Sequence, residues 1–337
     1  MTEAKVYPEY EGQEWDKHYQ FLYEDRLKTI HKQEHTSASL QECHEAIIQK
    51  ALCLAIKKTE SEWGQPPTHF AFFLMGSGGR REQSFWSDQD HGLVFDSDEE
   101  QDEHYFLQLG KEIVFALDKV GYKLCEGKVM ASSPKWCKSL QDWKQQINKW
   151  LKDDTWESLR FTLTFVDSRS VYGKEELLDD LKKTFFQAVE ANPSLLGRLT
   201  ENTGRLKKGI GLFNQLLVET KGKHKGQFDF KQIVLFPYVN ALRLLAIEQQ
   251  IYESSTLSRF QLLPEKYNEV KRVQRLFEEM LEMRLIWHRN TKNYEDIHHL
   301  NVKELSQLER RQIKQWVREG HKLYQLIEGN LKKGGSA

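Results

Sequence analysis

Residues 69–90 read HFAFFLMGSGGRREQSFWSDQD. The run at 69–75 is short, aromatic and aliphatic, which predicts a buried β-strand. Glycines at positions 76, 78 and 79 interrupt this run, and a polar segment follows them. Asp88 and Asp90 then lead into the apolar residues 93–95, which predict a second strand. The order of strand, glycine turn, polar turn and strand predicts a small α/β unit.

Each part of this segment has a chemical use. Gly76 and its neighbouring glycines let the backbone come close to a ligand and expose N–H groups that suit phosphate oxygens, while Ser77 and Arg80 add further donors. On a strand, Asp88 and Asp90 point to the same face, about 6.5 Å apart along the chain. Two carboxylates so close repel each other unless a cation lies between them, and Mg²⁺ favours one or two carboxylates together with substrate phosphates. The segment therefore predicts phosphoryl or nucleotidyl transfer.

A third acid is predicted from a later run. Residues 161–166 read FTLTFV, which is rich in β-branched and aromatic residues and predicts a third strand ending at Asp167. A carboxylate at that strand end could face Asp88 and Asp90 across a sheet. There it would bind a second metal ion or deprotonate the attacking hydroxyl. Arg169 would offset charge on the leaving phosphates or hold the turn together.

The combination of motifs resembles a known superfamily. Gly76-Ser77 with Asp88-Gln-Asp90 resembles the signature of the polymerase-β-like nucleotidyltransferases. More closely, the segments GSGGRREQ, SDQD and FVDSRSVYG are similar to the nucleotidyltransferase family often found beside CBS domains. That family is related to protein-PII uridylyltransferase and glutamine-synthetase adenylyltransferase. This chain departs from its usual pattern at Gly78, Arg81 and His91.

The resemblance implies a function and further site residues. It implies transfer of AMP or UMP from a nucleoside triphosphate to a hydroxyl of a protein or small molecule, with release of pyrophosphate and with Mg²⁺ or Mn²⁺ as cofactor. Nucleotide binding would fall to Gly76, Ser77, Arg80, Glu82 and Arg169. Segments around 223–231, 241–246 and 255–259 are similar to the family's C-terminal helical domain, which is thought to bind substrate. The implied acceptor contacts are Lys223, Lys225, Asp229, Lys231 and Arg243.

The resemblance and the local patterns together predict the domain organisation. Apolar spacings of three, four and seven predict helix over 14–63, which Gly64 and two prolines end. Further helices are predicted over 97–120, 174–190, 193–219, 230–251 and 264–289 and from 306 onward. The first and the last of these begin with capping-box patterns, Ser97-Asp-Glu-Glu100 and Ser306-Gln-Leu-Glu309. The expected domains are an N-terminal helical segment (1–65), a nucleotidyltransferase domain (66–173), a C-terminal helical substrate-binding domain (174–331) and a disordered tail (332–337). The predicted class is α+β: a small mixed-sheet polymerase-β-like domain with N-terminal helices and a C-terminal all-α bundle.

Composition limits the other function classes. Lys and Arg number 49 and Asp and Glu 50, a net charge of -1, which argues against nucleic acid or a membrane surface as partner. A mean hydropathy of -0.68 and the lack of a long apolar run predict no membrane span, and the first residues carry no signal-peptide pattern. Four cysteines without ligand spacing predict reduced thiols in a cytoplasmic protein. The oligomeric state stays open.

The sequence allows three alternatives to a nucleotidyltransferase function to be considered. Asp88 could begin a calcium loop, but position six would then be Leu93 instead of glycine, which excludes an EF-hand. A non-catalytic module could bind ATP or another nucleotide for signal transduction. A helical scaffold with a vestigial α/β unit would bind no nucleotide at all.

Overall fold

In the computed structural model, the residues described are 14–31 and 35–334, and of residues 332–334 only the backbone is described. Two helices open this part of the chain: α1 (Trp15–Ile30) and α2 (Ser37–Trp63). Helix α2 begins with a capping box in which Thr36 and Ser39 exchange side-chain and backbone hydrogen bonds, and it ends at Gly64, whose φ is +86°. The helix predicted over 14–63 is therefore two helices, and residues 32–34 lie outside the described residues.

The first unit contains a four-stranded mixed sheet. Its elements in chain order are β1 (Phe70–Leu74), the single-turn helix α3 (Gly76–Gly79), β2 (His91–Phe95), α4 (Glu100–Lys119), β3 (Cys137–Ser139), α5 (Leu140–Asp153), α6 (Trp156–Val166) and β4 (Arg169–Gly173). The strand order is β3-β2-β1-β4, with β1 antiparallel to β2 and β4 and with β3 parallel to β2. The predicted α+β class is confirmed.

Strand β1 divides the core because its side chains alternate between the two faces of the sheet. Phe70, Phe72 and Leu74 pack with α1, α2 and α4 on one face. Ala71 and Phe73 pack on the other face, in a cluster that continues into the C-terminal helices. The sheet is therefore covered on both sides, and the end of β1 lies between the two units.

The strand predicted over 161–166 is wrong. These residues belong to α6, which begins with a capping box: the Ser158 backbone N–H donates to Thr155 Oγ1 at 3.1 Å, and the Thr155 N–H donates to Ser158 Oγ at 2.9 Å. This cap outweighs the β-propensity of the apolar run, since helix residues such as Phe165 still reach the core. The strand that does pair with β1 is β4, which directly follows Asp167 and Ser168.

A predicted helix start is also misplaced. The pattern Ser97-Asp-Glu-Glu100 predicted a capping box, but α4 begins after Glu99, whose side chain makes no cap. Ser97 Oγ instead accepts a hydrogen bond from the Glu99 N–H at 3.2 Å. The helix ends at Lys119, one residue before its predicted end.

The C-terminal unit is mainly helical, but it is not all-α. Its helices are α7 (Glu176–Ala191), α8 (Ser194–Thr203), α9 (Phe236–Glu248), α10 (Thr256–Leu262), α11 (Asn268–Lys271), α12 (Gln274–His288) and α13 (Gln307–Gly334). Two short strands, β5 (Phe228–Asp229) and β6 (His299–Leu300), pair antiparallel. The helix predicted over 193–219 ends at Thr203 instead, and the one predicted over 264–289 is broken into a 3₁₀ turn, α11 and α12. The chain reversals left by these breaks bring 228–231 and 294–300 together.

The last helix follows its predicted cap. The Ser306 N–H donates to Glu309 Oε2 at 2.7 Å, and the Glu309 N–H donates to Ser306 Oγ at 3.2 Å. The helix α13 runs to Gly334, so only residues 335–337 of the predicted disordered tail lie outside the described residues. None of the helices within 14–31 and 35–334 is both long and apolar enough to cross a membrane.

Candidate active site

The glycine turn and the two aspartates lie against each other. Strand β1 leads into α3 through Gly76, whose φ of +53° favours glycine. The Met75 N–H donates to the Asp90 carbonyl oxygen at 2.7 Å, and a Cβ added to Gly76 would overlap Asp90 Oδ2. Gly76 is therefore required both by its backbone conformation and by the close approach of the Asp90 carboxylate.

Asp88 and Asp90 form an acid pair. Ligand atoms of these two residues and of Cys125 all lie within 4.8 Å of one another. Burial and the neighbouring Asp88 raise the pKa of Asp90 to about 6. Burial and Asp90 raise the pKa of the Cys125 thiol to about 12. The two carboxylates are the donors that a hard divalent cation prefers.

The C-terminal unit places a cation and a hydroxyl against this acid pair. Lys231 lies in the π-helical turn Lys231–Leu235 that precedes α9, and it interacts with both Asp88 and Asp90. Burial nevertheless lowers the pKa of Lys231, whose ammonium lies 3.2 Å from His298 Nε2. The Tyr294 hydroxyl interacts with Asp88, and burial together with that carboxylate raises the pKa of Tyr294. Both units therefore build the same site.

Asp167 is not part of the acid pair. It is fully buried, and both of its oxygens accept hydrogen bonds from guanidinium groups: Oδ2 from Arg80 at 2.7 Å, and Oδ1 from Arg243 at 3.0 Å and Arg259 at 2.8 Å. Burial acts to raise the pKa of Asp167, but the three arginines lower it overall. The metal-binding or proton-accepting role of Asp167 stays a prediction, and these contacts do not favour it. Its oxygens are already used by cations that come from distant parts of the chain.

A large cavity of about 470 Å³ opens between the two units. Of the residues singled out from sequence, it is lined by Gly76, Ser77, Arg80, Asp90, Asp167, Lys231 and Arg243. Its outer wall carries the exposed side chains of Trp156, Arg160 and Arg205, with the Arg205 guanidinium 4.8 Å from the centre of the Trp156 ring. A volume of this size accommodates a small-molecule ligand, and five of the side chains that line it are basic.

Two family models match most of the chain. Residues 20–157 match the family described as "Putative nucleotidyltransferase DUF294", and residues 193–331 match "Putative nucleotidyltransferase substrate binding domain". The chain belongs to this nucleotidyltransferase family. Within it, the acid pair lies in the first matched region, whereas Lys231, Arg243 and Tyr294 lie in the second. No curated protein matches the chain.

Two residues predicted to bind nucleotide have other partners in this family member. Glu82 is buried, accepts from Arg80 Nε at 2.8 Å and from the Thr256 hydroxyl, and so holds Arg80 in place. Arg169 donates to Glu45 Oε1 at 3.2 Å and lies 3.5 Å from the Gly78 carbonyl oxygen. Arg169 therefore links the glycine turn to α2, a contact that the sequence did not predict, and its predicted role in nucleotide binding stays a prediction.

The predicted acceptor contacts separate into two groups. Lys231 and Arg243 line the large cavity, as described above. Lys223 forms an ion pair with Glu295, and Lys225 is exposed on a loop. Asp229 accepts from Lys207 at 2.9 Å and from the Gln232 N–H at 3.0 Å, which fixes the start of the π-helical turn. The structure does not bring these last three to the cavity.

Sequence reasoning missed residues that the structure places at the site. Arg259 lies in the segment 255–259, which is similar to the family's C-terminal domain. Its role could have been predicted because a buried carboxylate such as Asp167 needs a cationic partner. Tyr294 carries no signal, because one aromatic residue in a polar stretch predicts only packing. Cys125 carries no sequence signal either. An isolated backbone bridge between Asp88 and Lys123 brings this part of the chain to the site, and such a long-range contact is not visible in the sequence.

Gly79 gives a prediction about stability. A Cβ at this position would collide with the Asp167 carbonyl oxygen and lie 2.9 Å from the Leu74 carbonyl oxygen, both of them fixed backbone atoms. We expect Gly79→Ala to lower the free energy of unfolding by at least about 2 kcal/mol, measured by chemical denaturation. The matched control is Gly197→Ala in α8, where nothing lies within 4 Å of the added Cβ and stability should rise slightly. Equal stability of the Gly79 variant and the wild type would contradict the close approach.

Proposed function

We propose that this protein is a divalent-metal-dependent nucleotidyltransferase that moves AMP or UMP from a nucleoside triphosphate to a hydroxyl of a protein or small molecule. In this reaction a bond forms between the acceptor oxygen and the α-phosphorus. The bond from the α-phosphorus to the pyrophosphate leaving group breaks, and the acceptor hydroxyl releases its proton to solvent. The observation that carries the proposal is the Asp88–Asp90 acid pair packed against the Gly76-Ser77 turn at the wall of the large cavity.

The donor set fits Mg²⁺ or Mn²⁺ at Asp88 and Asp90. Their oxygens are hard ligands, and the raised pKa of Asp90 reflects a concentration of negative charge that a dication would relieve. When bound, such an ion neutralises triphosphate charge and polarises the phosphoryl oxygens. Asp167 is committed to arginines, so we propose a single ion held by the acid pair and do not propose the two-metal arrangement.

The chain's own residues would bind and orient the donor. Gly76 allows the backbone to approach the phosphates, and Ser77 offers a hydroxyl donor beside it. Arg80 cannot swing freely because Glu82 and Asp167 hold two of its nitrogens, so it would contribute a fixed positive charge to the cavity wall. The stacked Trp156 and Arg205 would offer a flat, partly exposed surface to the base or to an anionic acceptor.

A specific observation favours a second candidate function. The site lacks a third free carboxylate among the described residues, because Asp167 is neutralised by three guanidinium groups. A protein with the acid pair alone could bind a metal–nucleotide complex without transferring it. This alternative is a nucleotide-sensing module for regulation or signal transduction.

One experiment separates these functions. The purified protein is incubated with each α-labelled nucleoside triphosphate, Mg²⁺ and a cell lysate, and both the labelled product and the released pyrophosphate are measured. Label transfer that Asp88→Asn abolishes supports the enzyme and identifies donor and acceptor. Mg²⁺-dependent nucleotide binding without transfer to any component supports the sensor, whereas no Mg²⁺-dependent binding by the wild type contradicts both.

The acid pair predicts a pH dependence of metal binding. Because the pKa of Asp90 is about 6, this carboxylate takes up a proton as the pH falls through that value, and the proton competes with the metal. We expect Mg²⁺ affinity to be nearly constant above pH 7 and to fall toward about tenfold per pH unit below pH 6. Isothermal titration between pH 5 and 8 measures it, and a flat profile would contradict the assignment. The same raised pKa affects the metal-free protein. Its folded state holds the Asp90 proton more tightly than the unfolded state does, so the free energy of unfolding falls as the pH rises from 3.8 through about 6.

A further inference from the structure

A second, narrow cavity of about 20 Å³ lies beside Ser77, and both polar and apolar side chains line it. It shares Ser77, Arg80 and Lys231 with the large cavity, so the two are contiguous at the site. The other polar residues that line it are Glu82, Ser84, Ser87, Arg284, Tyr294 and His298. The volume exceeds the ~10–15 Å³ that one water molecule requires, and it suits one small polar group instead of a whole nucleotide.

Arg284 is buried in this narrow cavity without a carboxylate partner. Its side chain is only 5% exposed, and Nη2 donates to the Glu82 carbonyl oxygen, while Nε has no hydrogen-bond partner. No acid of residues 14–31 and 35–334 forms an ion pair with Arg284, since the nearby Glu82 carboxylate is bound to Arg80 and Thr256. Burying a guanidinium without a counter-ion lowers the free energy of unfolding, because its charge is removed from water and is not compensated. This indicates that an anion binds here.

A buried hydroxyl points to the same conclusion. Ser84 is 2% exposed, and its Oγ has no hydrogen-bond partner. A hydroxyl donor and an unpaired guanidinium nitrogen in one small cavity form a donor set for phosphate oxygens. Lys231 adds a second positive charge at the boundary with the acid pair, where it interacts with Asp88 and Asp90. The cavity is therefore a cationic recess next to the proposed metal site.

We propose that Arg284, Ser84, Ser77 and Lys231 form a subsite for the terminal phosphate of the donor triphosphate, which becomes one end of the released pyrophosphate. This inference rests on the proposed function, because it needs a triphosphate at the acid pair. The large cavity has room for the nucleoside and the acceptor, and the narrow cavity joins it at Ser77, Arg80 and Lys231. The C-terminal unit would thus recognise the length of the phosphate chain through Arg284.

The test measures binding of three probes in the presence of Mg²⁺: a nucleoside triphosphate, the matching monophosphate and inorganic pyrophosphate. In Arg284→Gln we expect the dissociation constants of triphosphate and pyrophosphate to rise about 10–100-fold, with that of the monophosphate unchanged within about twofold. Ser84→Ala should weaken the same two probes by a smaller factor. The control is Arg275→Gln on the same helix, an 86% exposed side chain that should change nothing.

The outcomes separate this subsite from the proposed function. Equal losses for monophosphate and triphosphate, or no loss, would overturn the subsite while leaving nucleotide transfer intact. Arg284-dependent binding of triphosphate and pyrophosphate, in a protein that transfers no nucleotide to any acceptor, would support the subsite and contradict the transferase. Binding of none of the probes by the wild type would overturn both. Thermal unfolding shows whether Arg284→Gln folds. If it does not, the test uses Ser84→Ala and the charge-retaining Arg284→Lys instead. An unchanged preference for triphosphate over monophosphate in both of these variants would overturn the subsite.

Discussion

Asp88→Asn and Asp90→Asn are each expected to lower nucleotidyl transfer by at least about 100-fold and to abolish Mg²⁺-dependent nucleotide binding. Each substitution removes one of the two carboxylates that would hold the ion. The electrostatic stabilisation supplied by a bound dication is worth several kcal/mol, and each 1.36 kcal/mol corresponds to a factor of ten in rate. Label transfer and isothermal titration measure the two effects.

The same two variants should remain folded. Asp88 and Asp90 are partly exposed at the cavity and repel each other, so replacing one by an amide removes an unfavourable interaction. We expect their thermal unfolding midpoints to equal or exceed that of the metal-free wild type. Asp96→Asn, at an exposed position just after β2, is the matched control and should keep full activity. Retained turnover in either acid-pair variant would contradict the metal assignment.

Asp167→Asn is expected to have the largest effect on stability, a loss of about 3–5 kcal/mol in the free energy of unfolding. The asparagine would leave three buried guanidinium groups, from Arg80, Arg243 and Arg259, around a neutral side chain. Breaking a buried ion pair by removing one partner costs this much because the remaining charge is uncompensated. Chemical denaturation at neutral pH gives the measurement.

The pH dependence provides an independent check on Asp167. Its pKa is lowered by the arginines, so its contribution is fully present above the unfolded value of 3.8 and is lost as the pH falls below it. The wild type should therefore lose stability in acid more steeply than Asp167→Asn. Asp154→Asn, which breaks an ion pair of 3.0 Å with the half-exposed Arg198, is the control and should cost at most about 1 kcal/mol. A fully stable Asp167→Asn that loses turnover would restore the catalytic role predicted from sequence.

Local patterns were enough to predict that Asp88 and Asp90 lie together beside the glycine turn. Strand β1, the turn at Gly76 and the two aspartates lie within about twenty residues, so short-range periodicity and turn chemistry specify their order. The capping box at Ser306 and Glu309 was predictable for the same reason, because all of its partners are three residues apart. The fold class followed from these elements and from the helical periodicity around them.

The misplaced strand at 161–166 shows where local patterns fail. Apolar residues such as Phe161 and Phe165 have high β-propensity, but they lie in a helix whose start is a Thr155–Ser158 cap. Burial on several sides of that helix removes the amphipathic spacing that would have identified it. The real edge strand β4 is only partly buried, so its sequence carries little apolar signal.

Asp167 shows most clearly what the sequence alone determined and what only the tertiary structure decided. The sequence determined a strand, a glycine turn and two acids that suit a cation and phosphates, because those features depend on neighbours along the chain. The tertiary structure decided that Asp167 neutralises Arg80, Arg243 and Arg259, and that Lys231, Tyr294 and Arg284 close over the site. These contacts join residues up to about two hundred positions apart. The charge state and partners of a buried side chain depend on such long-range packing, which spacing along the chain does not encode.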